Sequence, residues 1–117
     1  MLELVKAVQS FLETRAMPEL KGHTAFHARV AANALGIVAR ELELGPKAMA
    51  TEISQLEALL GHGGSLDSLN RELCSQIRDG RISIESENLQ RHLEQTTLDK
   101  VGIDQPNYSG LKIAKAR

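Results

Sequence analysis

Two histidines four residues apart, His23 and His27, are the first residues whose types and spacing could do chemistry. On a helix this spacing presents two imidazoles on one face, as helical zinc sites do. A zinc site needs a third protein ligand, and the neighbouring sequence offers none, while His62 and His92 lie in other segments. We therefore expect no metal ion and no other cofactor. Because His27 falls among apolar residues, we expect it to be a core histidine with one hydrogen-bonding partner.

Arg29 and Asn33 form a second polar pair, one helical turn apart in the same segment. Two interpretations are open. The pair can lock helices together in a structural network, or Arg29 can bind an anion, because a guanidinium pairs well with phosphate and carboxylate groups. The expected cluster takes its other members from later in the chain: Asn70, Arg71, Asp104 and Tyr108.

The remaining polar motifs predict no catalysis. The loop Gly-His-Gly-Gly-Ser at residues 61–65 lacks the lysine and the preceding strand of a phosphate-binding loop, so we interpret it as a turn between helices, capped by Ser65 or Asp67. Cys74 has no matched histidine and is expected to be an inert thiol. The carboxylates form no convergent pair for acid and base chemistry. We assign no catalytic residue.

Composition narrows the class of protein. The chain has 117 residues, a formal net charge of −1 and one cysteine. This length suits one domain, and the charge balance disfavours general binding to nucleic acid. A single cysteine excludes an internal disulfide and suits a reducing compartment. The N-terminal residues mix charged and apolar side chains, which argues against a signal peptide or a membrane span. We expect a cytoplasmic protein that contacts neither nucleic acid nor membrane.

Apolar residues recur at spacings of three and four along most of the chain, as in amphipathic helices. Leu, Ala and Glu are plentiful while aromatic residues make up 3%, which favours helix over sheet. We predict an all-α, single-domain bundle of about five helices. Their expected ranges are about 2–16, 24–44, 46–60, 66–80 and 87–102. The bundle domain would comprise residues 1–105, followed by an extended tail at residues 106–117.

The helix at residues 24–44 is predicted to lie at the centre of the bundle and to end at Gly45 and Pro46. Its large apolar residues cover about half of its circumference and are expected to face the core. They are Phe26, Val30, Ala31, Ala34, Leu35, Ile37, Val38 and Leu42. A strip of small residues, Ala28, Ala32 and Gly36, would let another helix approach closely, from this chain or from a second copy. In the last predicted helix, Leu89, Leu93, Thr97 and Val101 keep helical spacing.

Three segments carry a family resemblance that covers nearly the whole chain, through Tyr108. Its most specific residues are Phe26, Arg29, Val30, Ala31 and Asn33, then Leu69 and Asn70, then Asp104, Pro106 and Tyr108. The chain resembles an uncharacterised bacterial family of small helical proteins, often encoded beside aminoglycoside-phosphotransferase-like kinases and acyl-CoA dehydrogenases. The resemblance implies these two neighbours as partners and implies no activity, and the kinase's own motifs are absent from this sequence.

From the residues and the resemblance together we expect a non-enzymatic accessory or interaction module for a phosphotransferase-like or acyl-CoA-handling partner. Self-association through the Ala28, Ala32 and Gly36 strip is a further expectation. The alternative is a binding protein for a small anionic ligand, phosphorylated or acyl-CoA, held near Arg29, Asn33 and Asn70.

Overall fold

Five α-helices and no β-strand form the protein in a computed structural model that describes all residues, 1–117. The predicted all-α fold is confirmed. The helices are α1 (Leu2–Phe11), α2 (Gly22–Leu60), α3 (Leu66–Arg78), α4 (Glu87–Asp104) and α5 (Ser109–Lys115). A π-helical turn at Leu12–Ala16 and a 3-10 turn at Met17–Glu19 follow α1.

Local signals set the ends of three helices. The hydroxyl of Ser65 accepts a hydrogen bond from the Ser68 backbone at the start of α3, and Ser86 does the same for Leu89 at the start of α4. A side-chain oxygen at this position satisfies one of the amides that the first helical turn leaves unpaired. Gly61 and Gly80 follow α2 and α3 with φ of 83° and 77°, a left-handed conformation that glycine adopts without strain.

The predicted break at Gly45 and Pro46 is wrong. α2 runs without interruption through 39 residues and contains Pro46 in its interior. A proline inside a helix removes one backbone hydrogen bond and crowds the preceding turn, at a cost of roughly 3 kcal/mol. Buried residues lie on both sides of this position, Ala39 and Gly45 before it and Leu56 after it. Packing therefore stabilises α2 on both sides of the proline.

The chain divides into two compact units, Met1–Pro46 and Lys47–Arg117. In the first unit, α1 and the beginning of α2 run antiparallel. Lys6 Nζ lies 3.7 Å from Glu43 Oε2, and the Gln9 side chain lies against Gly36, where an added Cβ would come within 3.1 Å of Gln9 Nε2. The numbers of residues at the same level in α1 and α2 therefore add up to about 47.

The buried side of α2 in the first unit is the opposite of the one expected. Ala32 and Gly36 are buried and Ala28 is half-buried, whereas Phe26, Val30, Ala31, Ala34, Val38 and Leu42 are exposed. Small side chains let another helix backbone approach closely, and the Gln9 side chain of α1 occupies the space beside Gly36. The Gln9 side chain thus occupies part of the strip, and self-association through it stays a prediction.

The second unit holds the main apolar core. Leu56 of α2, Leu69 and Leu73 of α3 and Leu89 of α4 are buried together. Partly buried apolar side chains surround them: Ile53, Leu59, Leu60, Leu66, Ile77 and Ile82. Three helices thereby bring their apolar faces to one cluster.

The predicted extended tail is wrong in its central part. Ser109–Lys115 forms α5, which packs against α4, and Leu111 is buried. Its burial gives this short segment the tertiary packing that a seven-residue helix lacks on its own. The count of five helices therefore holds for a different reason, because two predicted helices merge into α2 and the tail supplies α5.

Candidate functional site

The buried histidine of this protein is His92, whose side chain is 3% exposed, and not His27. His92 lies on α4 one turn after Leu89, and so shares the face that α4 turns toward the leucine core. His27 is exposed, and its ring meets that of Phe26 edge to face at a centroid distance of 5.6 Å. The expectation that His27 is a core histidine fails because α2 buries its small-residue face instead.

A hydrogen bond to Gln55 fixes the tautomer of His92. Nδ1 of His92 lies 2.7 Å from Oε1 of Gln55, and because a carboxamide oxygen only accepts, Nδ1 donates. Burial lowers the pKa of His92 below its ordinary value of 6.5, an effect that the negative charge of Glu52 opposes and the positive charge of Lys100 reinforces. His92 is therefore neutral at neutral pH, and its Nε2 carries a lone pair.

His92 lines a cleft between α2 and α4 with a volume of about 300 Å³. The other residues that line the cleft are Gln55, Ala58, Leu59, Asn88 and Arg91. Asn88 and Arg91 are exposed, and neither side chain makes a hydrogen bond or an ion pair within the protein. The cleft thus combines an apolar wall, a guanidinium, an amide and an imidazole with a free lone pair.

Arg29 and Asn33, the pair singled out in the sequence, lie on α2 in the first unit. Both are exposed, and neither makes a side-chain hydrogen bond or an ion pair. The pair therefore forms no structural network within the chain, and the anion site stays a prediction.

Asn70 and Arg71 are neighbours on α3 but have different partners. Asn70 Nδ2 donates to Glu52 Oε2 at 3.5 Å, beside the leucine core. Arg71 Nε lies 2.9 Å from Asp67 Oδ2, one turn earlier on the exposed side of α3. Asn70 therefore helps to hold α3 against α2, whereas Arg71 belongs to a surface pair of little energetic weight.

Asp104 and Tyr108 lie around the junction of α4 and α5. Asp104 is the last residue of α4 and is exposed. Tyr108 immediately precedes α5, and its ring covers Gly110, where an added Cβ would lie 2.9 Å from the Tyr108 Cζ. Tyr108 also lines a groove of about 230 Å³ together with Lys112 and Lys115.

The loop between α2 and α3 holds an exposed ion pair that the sequence did not suggest. His62 Nδ1 donates to the Gly63 carbonyl at 2.9 Å, and Nε2 lies 2.5 Å from Glu72 Oε2. These two hydrogen bonds and the Glu72 charge raise the pKa of His62. In its protonated form the imidazole donates from both nitrogens, and the raised pKa extends that form to higher pH than in a free histidine.

Large apolar side chains are exposed together in the first unit. We define the α1–α2 apolar face as Leu4, Val8, Phe11, Val38 and Leu42, whose side chains are between 40% and 67% exposed. The antiparallel arrangement places Leu4 close to the level of Leu42, and Val8 close to the level of Val38. The Lys6–Glu43 ion pair lies on the opposite side of the helix pair. At about 100° of rotation per residue, the face residues of α1 lie roughly 140° to 160° from Lys6 around the helix axis, and those of α2 lie roughly 100° to 140° from Glu43.

No three His, Cys, Asp or Glu side chains are grouped so that they could hold a metal ion. None of the helices combines the length and the apolar character needed to cross a membrane.

Comparison with known proteins places the chain in a family. The model of a domain of unknown function, DUF6285, matches residues 18–108. The match begins just before α2 and ends at Tyr108, so it includes the residues on which the resemblance to an uncharacterised family rests. No curated protein and no solved structure shows significant similarity to this chain. The chain belongs to the DUF6285 family.

Proposed function

We propose that this protein is a non-enzymatic accessory module that binds a partner protein through the α1–α2 apolar face. One observation carries the proposal: five large apolar side chains of α1 and α2 are between 40% and 67% exposed, and helix geometry directs them to the same side of the helix pair. Exposed apolar side chains grouped on one surface mark sites of protein association.

The chemistry of the face indicates the kind of partner surface. None of its five side chains is charged or polar, so a partner must contribute apolar side chains of its own to cover them. Helix pairs present such surfaces as shallow grooves, into which a partner helix can pack with its own apolar residues.

The partner we propose is a phosphotransferase-like kinase, in keeping with the neighbours that the sequence resemblance implies. An acyl-CoA dehydrogenase and a second copy of this chain are the competing occupants. The kinase is expected to supply the catalysis, because this chain offers no nucleophile beside a base and no pair of convergent carboxylates.

Co-expression of the chain with the kinase-like neighbour tests the proposal, with size-exclusion chromatography at micromolar concentration as the measurement. We expect one complex for the native chain, and two separate proteins for the Val8→Glu and Val38→Glu variants. Ile84→Glu is the matched control, since Ile84 is 71% exposed but lies outside the face. Separate elution of two well-folded native proteins overturns the proposal. A homodimer that Val8→Glu dissociates would instead assign the face to a second copy.

A second candidate, binding of a small phosphorylated or acyl-CoA anion near Arg29 and Asn33, is favoured by the exposed and unpaired state of both side chains. Calorimetric titration with such anions tests it. Arg29→Gln should abolish the binding, and Arg15→Gln, an exposed arginine on another element, should leave it unchanged.

A further inference from the structure

The cleft between α2 and α4 has the composition of a small-ligand site. One turn of each helix forms it: Gln55, Ala58 and Leu59 from α2, and the turn from Asn88 to His92 from α4. All six residues belong to the second unit, so the cleft has no residue in common with the α1–α2 apolar face. Its volume of about 300 Å³ lies at the lower end of the range for small-molecule sites.

Three polar groups in this cleft have no partner within the protein. The Arg91 guanidinium and the Asn88 amide make no hydrogen bond, and His92 is bonded through Nδ1 alone. No fully buried side-chain nitrogen or oxygen of the protein lacks a partner. The unbonded Nε2 of His92 therefore keeps some accessible surface although the residue as a whole is only 3% exposed, and we place that surface in the cleft that His92 lines.

Each group selects a different part of a ligand. Nδ1 of His92 gives its proton to Gln55, so Nε2 can only accept, and it requires an O–H or N–H donor from the ligand. Arg91 requires an anion, and its planar guanidinium matches a carboxylate through two parallel hydrogen bonds. Asn88 lies one turn before both residues on α4 and can donate to the same anion.

We propose that this cleft binds a small hydroxycarboxylate, with the carboxylate at Arg91 and Asn88 and the hydroxyl donating to Nε2 of His92. The Ala58 and Leu59 side chains form the apolar wall against which the short carbon chain of the ligand packs. The hydroxyl contact gives selectivity, because a ligand without it leaves a desolvated imidazole nitrogen unpaired.

The test follows the imidazole signals of His92 in long-range proton–nitrogen NMR spectra of the full chain. The probes are 2-hydroxybutyrate and 3-hydroxybutyrate, and butyrate is the matched compound without the hydroxyl. We expect at least one of the two hydroxybutyrate isomers to cause a saturable shift of the Nε2 resonance. We expect butyrate to bind about tenfold more weakly than that isomer. Absence of a saturable shift up to about 10 mM, tenfold above a millimolar dissociation constant, overturns the proposal. Equal binding of butyrate overturns the role of the hydroxyl.

Arg91→Gln and Arg78→Gln are the variants for this titration. Arg91 is exposed, so its replacement leaves the core intact, and we expect affinity for the carboxylate to fall by about tenfold or more. Arg78 is an exposed arginine at the end of α3, outside the cleft, and its replacement should leave affinity unchanged. An equal loss in both variants would show a general charge effect and count against the site. The result is independent of partner binding, because no residue of the α1–α2 apolar face is altered.

Discussion

Nδ1 of His92 donates a hydrogen bond of 2.7 Å to Oε1 of Gln55, and this contact joins α4 to α2 beside the leucine core. Gln55 immediately precedes Leu56, and His92 lies one turn after Leu89, so the polar contact borders the two leucines that its helices bury. Packing of Leu56 against Leu89 thus brings the imidazole and the carboxamide to bonding distance.

Replacement of Gln55 by alanine should destabilise the protein. The substitution leaves the Nδ1 proton of a buried histidine without an acceptor, which costs about 1–3 kcal/mol. Urea denaturation measures the change in the free energy of unfolding. Ser54→Ala is the matched control on the same helix, because Ser54 is exposed and its replacement should stay within about 0.5 kcal/mol of the native chain. Equal effects of the two substitutions would contradict a structural role for the contact.

Acid should weaken the fold through His92. Burial lowers its pKa in the folded state, so on acidification the unfolded chain binds a proton that the folded chain excludes. The stability that neutral His92 contributes is complete above pH of about 6.5, and it is lost as the pH falls from there through the pKa of His92 in the folded state. The charge of Glu52 opposes the lowering of the His92 pKa, and the charge of Lys100 adds to it. An NMR titration of the folded protein should place the His92 midpoint below that of free histidine, and His92→Gln should reduce the loss of stability in acid.

His62 should act in the opposite direction. The Gly63 carbonyl and the Glu72 carboxylate raise its pKa, so the folded state holds a proton that the unfolded chain loses. The stabilisation is complete below pH of about 6.5 and disappears as the pH rises through the folded pKa. Glu72→Gln should flatten this dependence in unfolding curves recorded between pH of about 6 and 8. An unchanged pH dependence in that variant would show that the ion pair has no energetic weight.

The sequence predicted the helical class and most helix positions, because apolar spacing and the capping residues Ser65, Gly61 and Gly80 are local features. It failed at Gly45 and Pro46. This pair is a strong local signal for a helix end, yet α2 continues through it with the proline in its interior.

The face of each helix was harder to predict. α2 carries one strip of large apolar residues and one of small residues, and periodicity alone does not show which of the two a neighbouring helix covers. In α4 the expected stripe joined Leu89 to Leu93, Thr97 and Val101. A spacing of four drifts about 40° per step around a helix, so this stripe leaves the buried face. The spacing of three from Leu89 to His92 was the available signal for the buried histidine.

Gly102→Ala should stabilise the protein by about 0.5–1 kcal/mol. Gly102 lies inside α4 with helical geometry, and an added Cβ would meet no atom within 4 Å. Alanine restricts the unfolded chain more than glycine does and introduces no clash here. Gly36→Ala is the informative comparison, because its Cβ would lie 3.1 Å from the Gln9 amide and 3.2 Å from the Arg40 guanidinium. Thermal unfolding should rank Gly102→Ala above Gly36→Ala in stability, and the reverse order would contradict the packing described for α1 and α2.

Two leucine substitutions should separate folding from association. Leu69 is fully buried in the core of the second unit, so Leu69→Ala should cost about 2–5 kcal/mol from lost burial and the cavity that remains. Leu4 is 67% exposed on the α1–α2 apolar face, so Leu4→Ala should change the free energy of unfolding by less than about 0.5 kcal/mol. Urea denaturation of the isolated chain measures both values. The same Leu4→Ala variant should weaken binding to the proposed partner, since a side chain that is mostly exposed in the isolated chain loses most of its accessible surface only when a partner covers it. A large loss of stability in isolated Leu4→Ala would instead mean that the chain itself covers this face in solution.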